Sequence, residues 1–167
     1  MTIRPFSKLQ DAAIHTIFQD YFCSTTAYAI LGSTHGYSLS ELKTEIKNTA
    51  PHKEDYALIN QTDLPIGAIQ VDQRDTKTNS LRLMIVMTTE TQHHKQIHTL
   101  LTQKISQLRQ ELPALKIYSY LLPHEDHLKS LLTDLAFQRE AVLDEHVFHH
   151  GSYYDLEIWG SQRKKVS

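Results

Sequence analysis

Eleven histidines in 167 residues are the first chemical feature of this chain. His94 and His98 are spaced so that, in a helix, both imidazoles share one face and can supply two ligands to an ion such as zinc. His124 and His127 have similar helical spacing, and His149-His150 form a doublet. A closed metal site needs further donors. No cysteine lies near these pairs and no acid stands at a fixed spacing from them, so they read as surface histidines and no metal is expected. A chain this rich in histidine swings from a net charge of −2 to positive values in mild acid if many of its imidazoles keep the unperturbed value of about 6.5. The acids Glu90, Glu125 and Asp126 each precede or open a helical period, where the helix dipole favours negative charge.

Composition narrows the classes. Hydrophobic content of 40% and charged content of 22% suit a globular domain with its own core. The absence of a basic excess argues against a nucleic-acid partner, and the run Arg163-Lys164-Lys165 reads as a short solvated tail. The longest apolar stretches, such as Leu81 to Met87, are strand-sized, so no membrane partner is expected. Met1 to Asp11 lacks the apolar core of a signal peptide. The single cysteine, Cys23, agrees with a reducing compartment, so a cytoplasmic location is the expectation.

Periodicity supplies the elements that must position any site. Thr2 to Phe6 reads as a strand, and Lys8 to Phe22 as a helix with Leu9, Ala12, Ala13, Ile17 and Tyr21 on one stripe. Ser38 and Glu41 have capping-box spacing, predicting a second helix to about Thr49 that Pro51 ends. Strands follow at Tyr56 to Asn60, Ile66 to Gln73 and Leu81 to Met87. The helical period returns from Gln92 to Leu112 through Ile97, Leu100, Leu101, Ile105 and Leu108. Then come a strand from Ile117 to Leu122, a short helix from Glu125 to Asp134, and an antiparallel pair, Phe137 to His149 and Tyr153 to Trp159, around Gly151. The order predicts an α/β fold: a mixed, mostly antiparallel sheet with one parallel crossover and about four helices, in a single domain over residues 1–160 followed by a basic tail over 161–167.

This order resembles the GNAT superfamily of acyl-CoA-dependent N-acyltransferases along Thr2 to Trp159. Asp134-Leu135-Ala136-Phe137 looks like the family's K-L-G-F segment with alanine for glycine. The ending, Phe137 to Glu140 through Gly151-Ser152-Tyr153-Tyr154-Asp155, is similar to branches that close with G-x-Y-x-D. The resemblance implies that acetyl-CoA lies where two parallel strands splay, its pantetheine on the backbone of Val86, Met87 and Thr88. It places the pyrophosphate on the loop and helix start at His93, His94, Lys95, Gln96, Ile97 and His98, where orphan N–H groups favour an anion. Gln96 and His98 stand where the family has glycine, and glycine or alanine, while His93, His94 and Lys95 offer cations to phosphate. The family's proton-donating tyrosine falls at Leu132, which has no proton to give.

Amine acetylation needs a neutral amine, so a base is sought near the splayed strands. Glu125 and His124, at the end of the strand closing at Leu122, are the candidates, with Tyr120 beside Tyr118 on one face of that strand. First-turn placement of Glu125 and packing of the tyrosines are the structural alternatives. Tyr153, Tyr154 and Asp155 can shape an amine-binding mouth, with Asp155 attracting a cation, or simply pair in the last hairpin. The resemblance therefore implies an acetyl-CoA-dependent N-acetyltransferase acting on a primary amine of a small molecule or a peptide, with a homodimer as the oligomer to test. The alternative is a non-catalytic GNAT-like binding module with a degenerate CoA loop. A V-shaped cleft is predicted between Leu81–Thr88 and Ile117–Leu122, opening near His93 to His98.

Overall fold

The computed structural model describes residues 1–17, 40, 44, 53–75, 79–87, 94–111, 116–149 and 151–162. Its strands are β1 (Thr2–Pro5), β2 (Lys53–Ile59), β3 (Pro65–Asp75), β4 (Ser80–Met87), β5 (Lys116–Leu121), β6 (Gln138–His149) and β7 (Ser152–Gln162). The helices of those residues are α1 (Asp11–Ile17), α2 (His94–Glu111) and α3 (Asp126–Asp134), with a 3₁₀ turn at Phe6–Lys8. The second helix expected from Ser38 to Thr49 lies mostly outside the described residues; Ser40 and Thr44 are helical. Strand β7 continues to Gln162, past the expected end at Trp159, because Ser161 and Gln162 still pair with Ile117 and Lys116 of β5.

The strands form one sheet in the order β1-β2-β3-β4-β5-β7-β6. Every neighbouring pair is antiparallel except β4 and β5, which are parallel because α2 carries the chain across between them. That parallel pairing is short. Ser80, Leu81 and Arg82 pair with Lys116, Ile117 and Tyr118, and the register ends there. Beyond it β4 stays with β3 as far as Met87, while β5 stays with β7 as far as Leu121. Two half-sheets are thus hinged at one end and apart at the other. Gly67 helps hold β4 on the β3 side, since a Cβ there would stand 2.8 Å from the Val86 carbonyl oxygen.

The main core lies on the sheet face that carries α2 and α3. Leu58, Ile69, Val71, Leu81, Leu83, Ile85, Ile117 and Leu121 alternate along the strands onto that face. They meet Ile97, Leu101, Ile105 and Leu108 of α2, whose three-and-four spacing makes a buried stripe, together with Leu128, Leu131 and Leu132 of α3. Arg82, Met84, Val86, Tyr118 and Tyr120 alternate to the opposite face, and α1 packs on β3. Toward the far edge that face carries a smaller cluster of Leu122, Val147 and Leu156, with Tyr120 and Tyr154 against it.

Helix α3 ends in a hydrogen-bond pattern that explains the Asp134–Phe137 segment. Phe137 N–H donates to the Leu132 carbonyl at 2.9 Å and Ala136 N–H to that of Thr133 at 3.0 Å, the Schellman arrangement. Ala136 takes φ of 61°, the left-handed conformation that favours glycine. Leu132 and Phe137, the two positions that touch in such a motif, are both buried in the main core.

Candidate active site

The open end of the hinge leaves part of the β4 edge without a neighbouring strand among the described residues. Past Arg82 the β5-facing edge of β4 has no strand partner among the described residues, although Leu83, Met84, Ile85 and Val86 are all buried. Buried backbone N–H and C=O groups need partners, so an amide-bearing chain laid along Leu83 to Met87 fits this edge. Val86 and Met87 lie on it. Thr88 and His93 fall outside the described residues, as does the side chain of His94.

Helix α2 begins at His94, seven residues along the chain from the end of β4 at Met87. Its first turn carries Lys95 and Gln96, both exposed, and Ile97, which is buried in the core and anchors the turn. His98 is half-buried, with Nε2 3.2 Å from the Asp134 carbonyl oxygen, so that it ties α2 to the end of α3. The ring of His98 is therefore committed between helices, while Lys95 is exposed at the helix start, where an anion is favoured.

At the end of β5 the chain turns through Pro123 and His124 into α3. Glu125 is 5% exposed, and its Oε2 accepts the Leu122 N–H at 2.8 Å. The Glu125 N–H in turn donates to the Leu122 carbonyl at 3.1 Å, so residue and turn brace each other. His124 is exposed, with its ring centroid 6.3 Å from that of Tyr154 in an edge arrangement. Tyr120 and Tyr118 are edge-on at 5.5 Å. His124, Tyr120 and Tyr154 thus gather on the face away from α2 and α3. Glu125 is bound into the turn itself.

The proposed mouth residues divide. Tyr154 packs beside Tyr120, whereas Tyr153 is exposed and lies 5.0 Å, centroid to centroid, from Phe148 across the hairpin. The Asp155 carboxylate accepts the N–H of Glu145 at 2.9 Å, at an irregular stretch of β6 where Glu145 adopts φ of 48°. Its charge serves the strand there.

A buried ion network holds the turn against the sheet. Glu157, 4% exposed on β7, meets Lys129 Nζ of α3 at 3.2 Å and Arg139 at 3.4 Å, and accepts from Trp159 Nε1 at 2.8 Å. Lys129 also donates to the Pro123 carbonyl. The perturbed titrations sit elsewhere, on β2 and mid-α2. Burial, then hydrogen bonding to Glu54, raises the Tyr56 pKa, and burial lowers that of Lys104, opposed by Glu54 and Glu111. Lys104 donates to the Tyr56 hydroxyl at 2.7 Å.

Two polar groups lack partners near the end of the parallel pairing: Ser119, which sequence reasoning passed over, and His127, which it read as a surface histidine. Ser119 is 1% exposed, and its Oγ has no hydrogen-bond partner among the described residues; the same holds for Nε2 of His127. A signal for Ser119 was present: it occupies the inward register between Ile117 and Leu121, where an apolar residue belongs.

No protein-family model matches the sequence, and no curated protein sequence matches it. Solved structures do resemble it. A spermidine N-acetyltransferase from Vibrio cholerae, in complex with CoA and spermine, superposes with a TM-score of 0.76 at 18% identity, covering 98% of this chain and 96% of that one. Mutant forms of the spermidine/spermine N-acetyltransferase from the same organism give 0.73 at 19% identity, with 98% and 95% covered. A candidate phosphinothricin N-acetyltransferase gives 0.69 at 13% identity, with 98% and 99% covered. The fold of this chain is the GNAT fold. The mixed sheet, the single splayed parallel pair and the helix leading away from it are its defining parts.

Proposed function

We infer that the protein is an acetyl-CoA-dependent N-acetyltransferase acting on a primary amine. The observation that carries this is the open edge of β4, running from the hinge at Arg82 toward the start of α2. An acyl-CoA laid along it would pair its amides with Leu83 to Met87 and reach Lys95 with its phosphates. The cationic side chains of His93, His94 and Lys95 would meet those phosphates, with Gln96 and His98 where the family has small residues and Ile97 anchoring the helix start. A backbone N–H of β4 would polarise the thioester carbonyl. The amine nitrogen attacks that carbon, the C–S bond breaks with its electron pair on sulfur, and the amine releases a proton.

His124, with Tyr120 and Tyr154 around it, is the exposed group best placed to receive that proton, directly or through water. Glu125 is the second candidate. Tyr153 stands further along the hairpin and would contact only a long acceptor, and Asp155, whose carboxylate already accepts the Glu145 N–H, would act on an acceptor through its charge. Polyamines open the acceptor panel, because the Vibrio cholerae neighbour was captured with spermine.

Calorimetry with acetyl-CoA, followed by thiol release with an amine panel, tests this function. Saturable binding, weakened about fivefold by Lys95→Ala at low salt and less at high salt, is expected. A folded protein with no affinity for acetyl-CoA refutes it. Binding without thiol release from any amine identifies the non-catalytic module instead.

A further inference from the structure

We propose that Ser119 Oγ and His127 Nε2, buried with no hydrogen-bond partner among the described residues, hydrogen-bond the sulfur end of the acyl donor. The inference rests on the acyltransferase reading and assigns two side chains within that site. Ser119 is the first residue of β5 after the pairing with β4 stops at Tyr118, so it stands where the strands begin to part. It faces the α2 and α3 side, between Ile117 and Leu121 of the core. His127 lies in the first turn of α3, directly after the β5 turn.

The flank of α3 that carries His127 follows from its contacts. Lys129 reaches Glu157 of β7 on one side of the helix, and Leu128, Leu131 and Leu132 face the sheet. Asp134, two turns after His127 and therefore on the same flank, is the residue whose carbonyl meets His98 of α2. His127 thus projects toward the space between α2 and α3, above the parting strands.

Leaving two buried polar atoms unsatisfied is costly, and native proteins do so rarely. A Ser hydroxyl and an imidazole in its Nε2–H tautomer are both donors, and neither has an acceptor among the described residues. The acyl transfer described above generates an acceptor at this place: when C–S breaks, sulfur carries the negative charge. Charge-assisted bonds from Ser119 Oγ–H and His127 Nε2–H would hold that thiolate until solvent protonates it. Leu132, buried against Phe137, leaves the task to them.

The test compares CoA with desulfo-CoA by calorimetry at about pH 9.5, above the ordinary thiol value of roughly 8.5. The parent should bind CoA about tenfold more tightly than desulfo-CoA, the margin of a charge-assisted contact. Ser119→Ala and His127→Phe, the latter keeping a ring in place, should each cut that margin about threefold or more and leave desulfo-CoA affinity unchanged. The ligand-free Ser119→Ala protein should melt no lower than the parent, because an unsatisfied hydroxyl has been removed. Unchanged margins in both variants, or a lowered melting temperature for ligand-free Ser119→Ala, overturn the assignment while the acyltransferase function stands. A parent that binds neither ligand overturns both.

Discussion

Replacing Glu125 separates a structural carboxylate from a catalytic one. The side chain is 5% exposed and accepts a 2.8 Å bond from the buried N–H of Leu122, itself fully buried. Glu125→Ala leaves that N–H with no acceptor. An unsatisfied buried donor costs about 1–3 kcal/mol, and the bond lost is charge-assisted, so a loss of about 2–3 kcal/mol is expected. For a chain of this length that corresponds to a fall of roughly 4–12 °C in melting temperature. Glu125→Gln keeps a carbonyl oxygen in the same place and should cost about 1 kcal/mol or less. Calorimetric melting of both variants, with thiol release measured on the same preparations, resolves the two roles. If the carboxylate is the base, Glu125→Gln loses activity about a hundredfold or more with the fold intact. If Glu125→Ala melts with the parent, the bracing of the β5 turn described above is wrong.

Ala136→Gly should raise stability by about 0.5–1 kcal/mol, because glycine adopts the left-handed cap conformation without the Cβ clash; denaturant unfolding with an unchanged slope checks it. Leu132→Tyr should leave the rate of thiol release within about threefold and should destabilise by about 1–3 kcal/mol, since Leu132 is 1% exposed in the core with Phe137; a hundredfold faster thiol release would show instead that a lost hydroxyl limits the rate. Lys104→Met should leave stability equal or higher near neutral pH, because a buried ammonium is exchanged for an apolar chain of similar length. The sign with pH is definite. With its folded pKa below the ordinary 10.5, Lys104 binds fewer protons folded than unfolded, so its contribution rises as pH climbs toward 10.5. Tyr56, raised above its ordinary 10.0, opposes this beyond pH 10.0, and Lys104→Met should abolish only the rising limb in a pH series of melts.

Secondary structure was legible because its signals are local. The stripe of Ile97, Leu101, Ile105 and Leu108 marks a helix, and the alternation of Ile117, Ser119 and Leu121 marks a strand, whatever lies across from them. The crossover between β4 and β5, and with it the parallel pair, followed from the order of those elements. The expectation that a cofactor lies along Val86 and Met87 came from that order and the family likeness. Even the odd residue in the K-L-G-F-like segment was visible, though the reason that glycine suits it is the φ of 61° at Ala136.

Periodicity assigns a residue to a face; it says nothing of what stands opposite, or of how far two strands stay together. Where β5 leaves β4 depends on β3 and β7 competing for their edges, a balance of long-range pairings spread over most of the chain. The same is true of charge. Glu125 reads as an available first-turn acid in the sequence, and only the turn at Leu122 commits its carboxylate inward. Asp155 reads as a lure for a cation, and only the irregular pairing of β6 brings the Glu145 N–H to it. Ser119 and His127 look like an ordinary strand serine and one of eleven histidines, until burial removes the water that would otherwise satisfy them. Hydrogen-bond need is set by what surrounds a group, and His98 meeting Asp134 and Asp155 meeting Glu145 are pairings that no pattern along the chain announces.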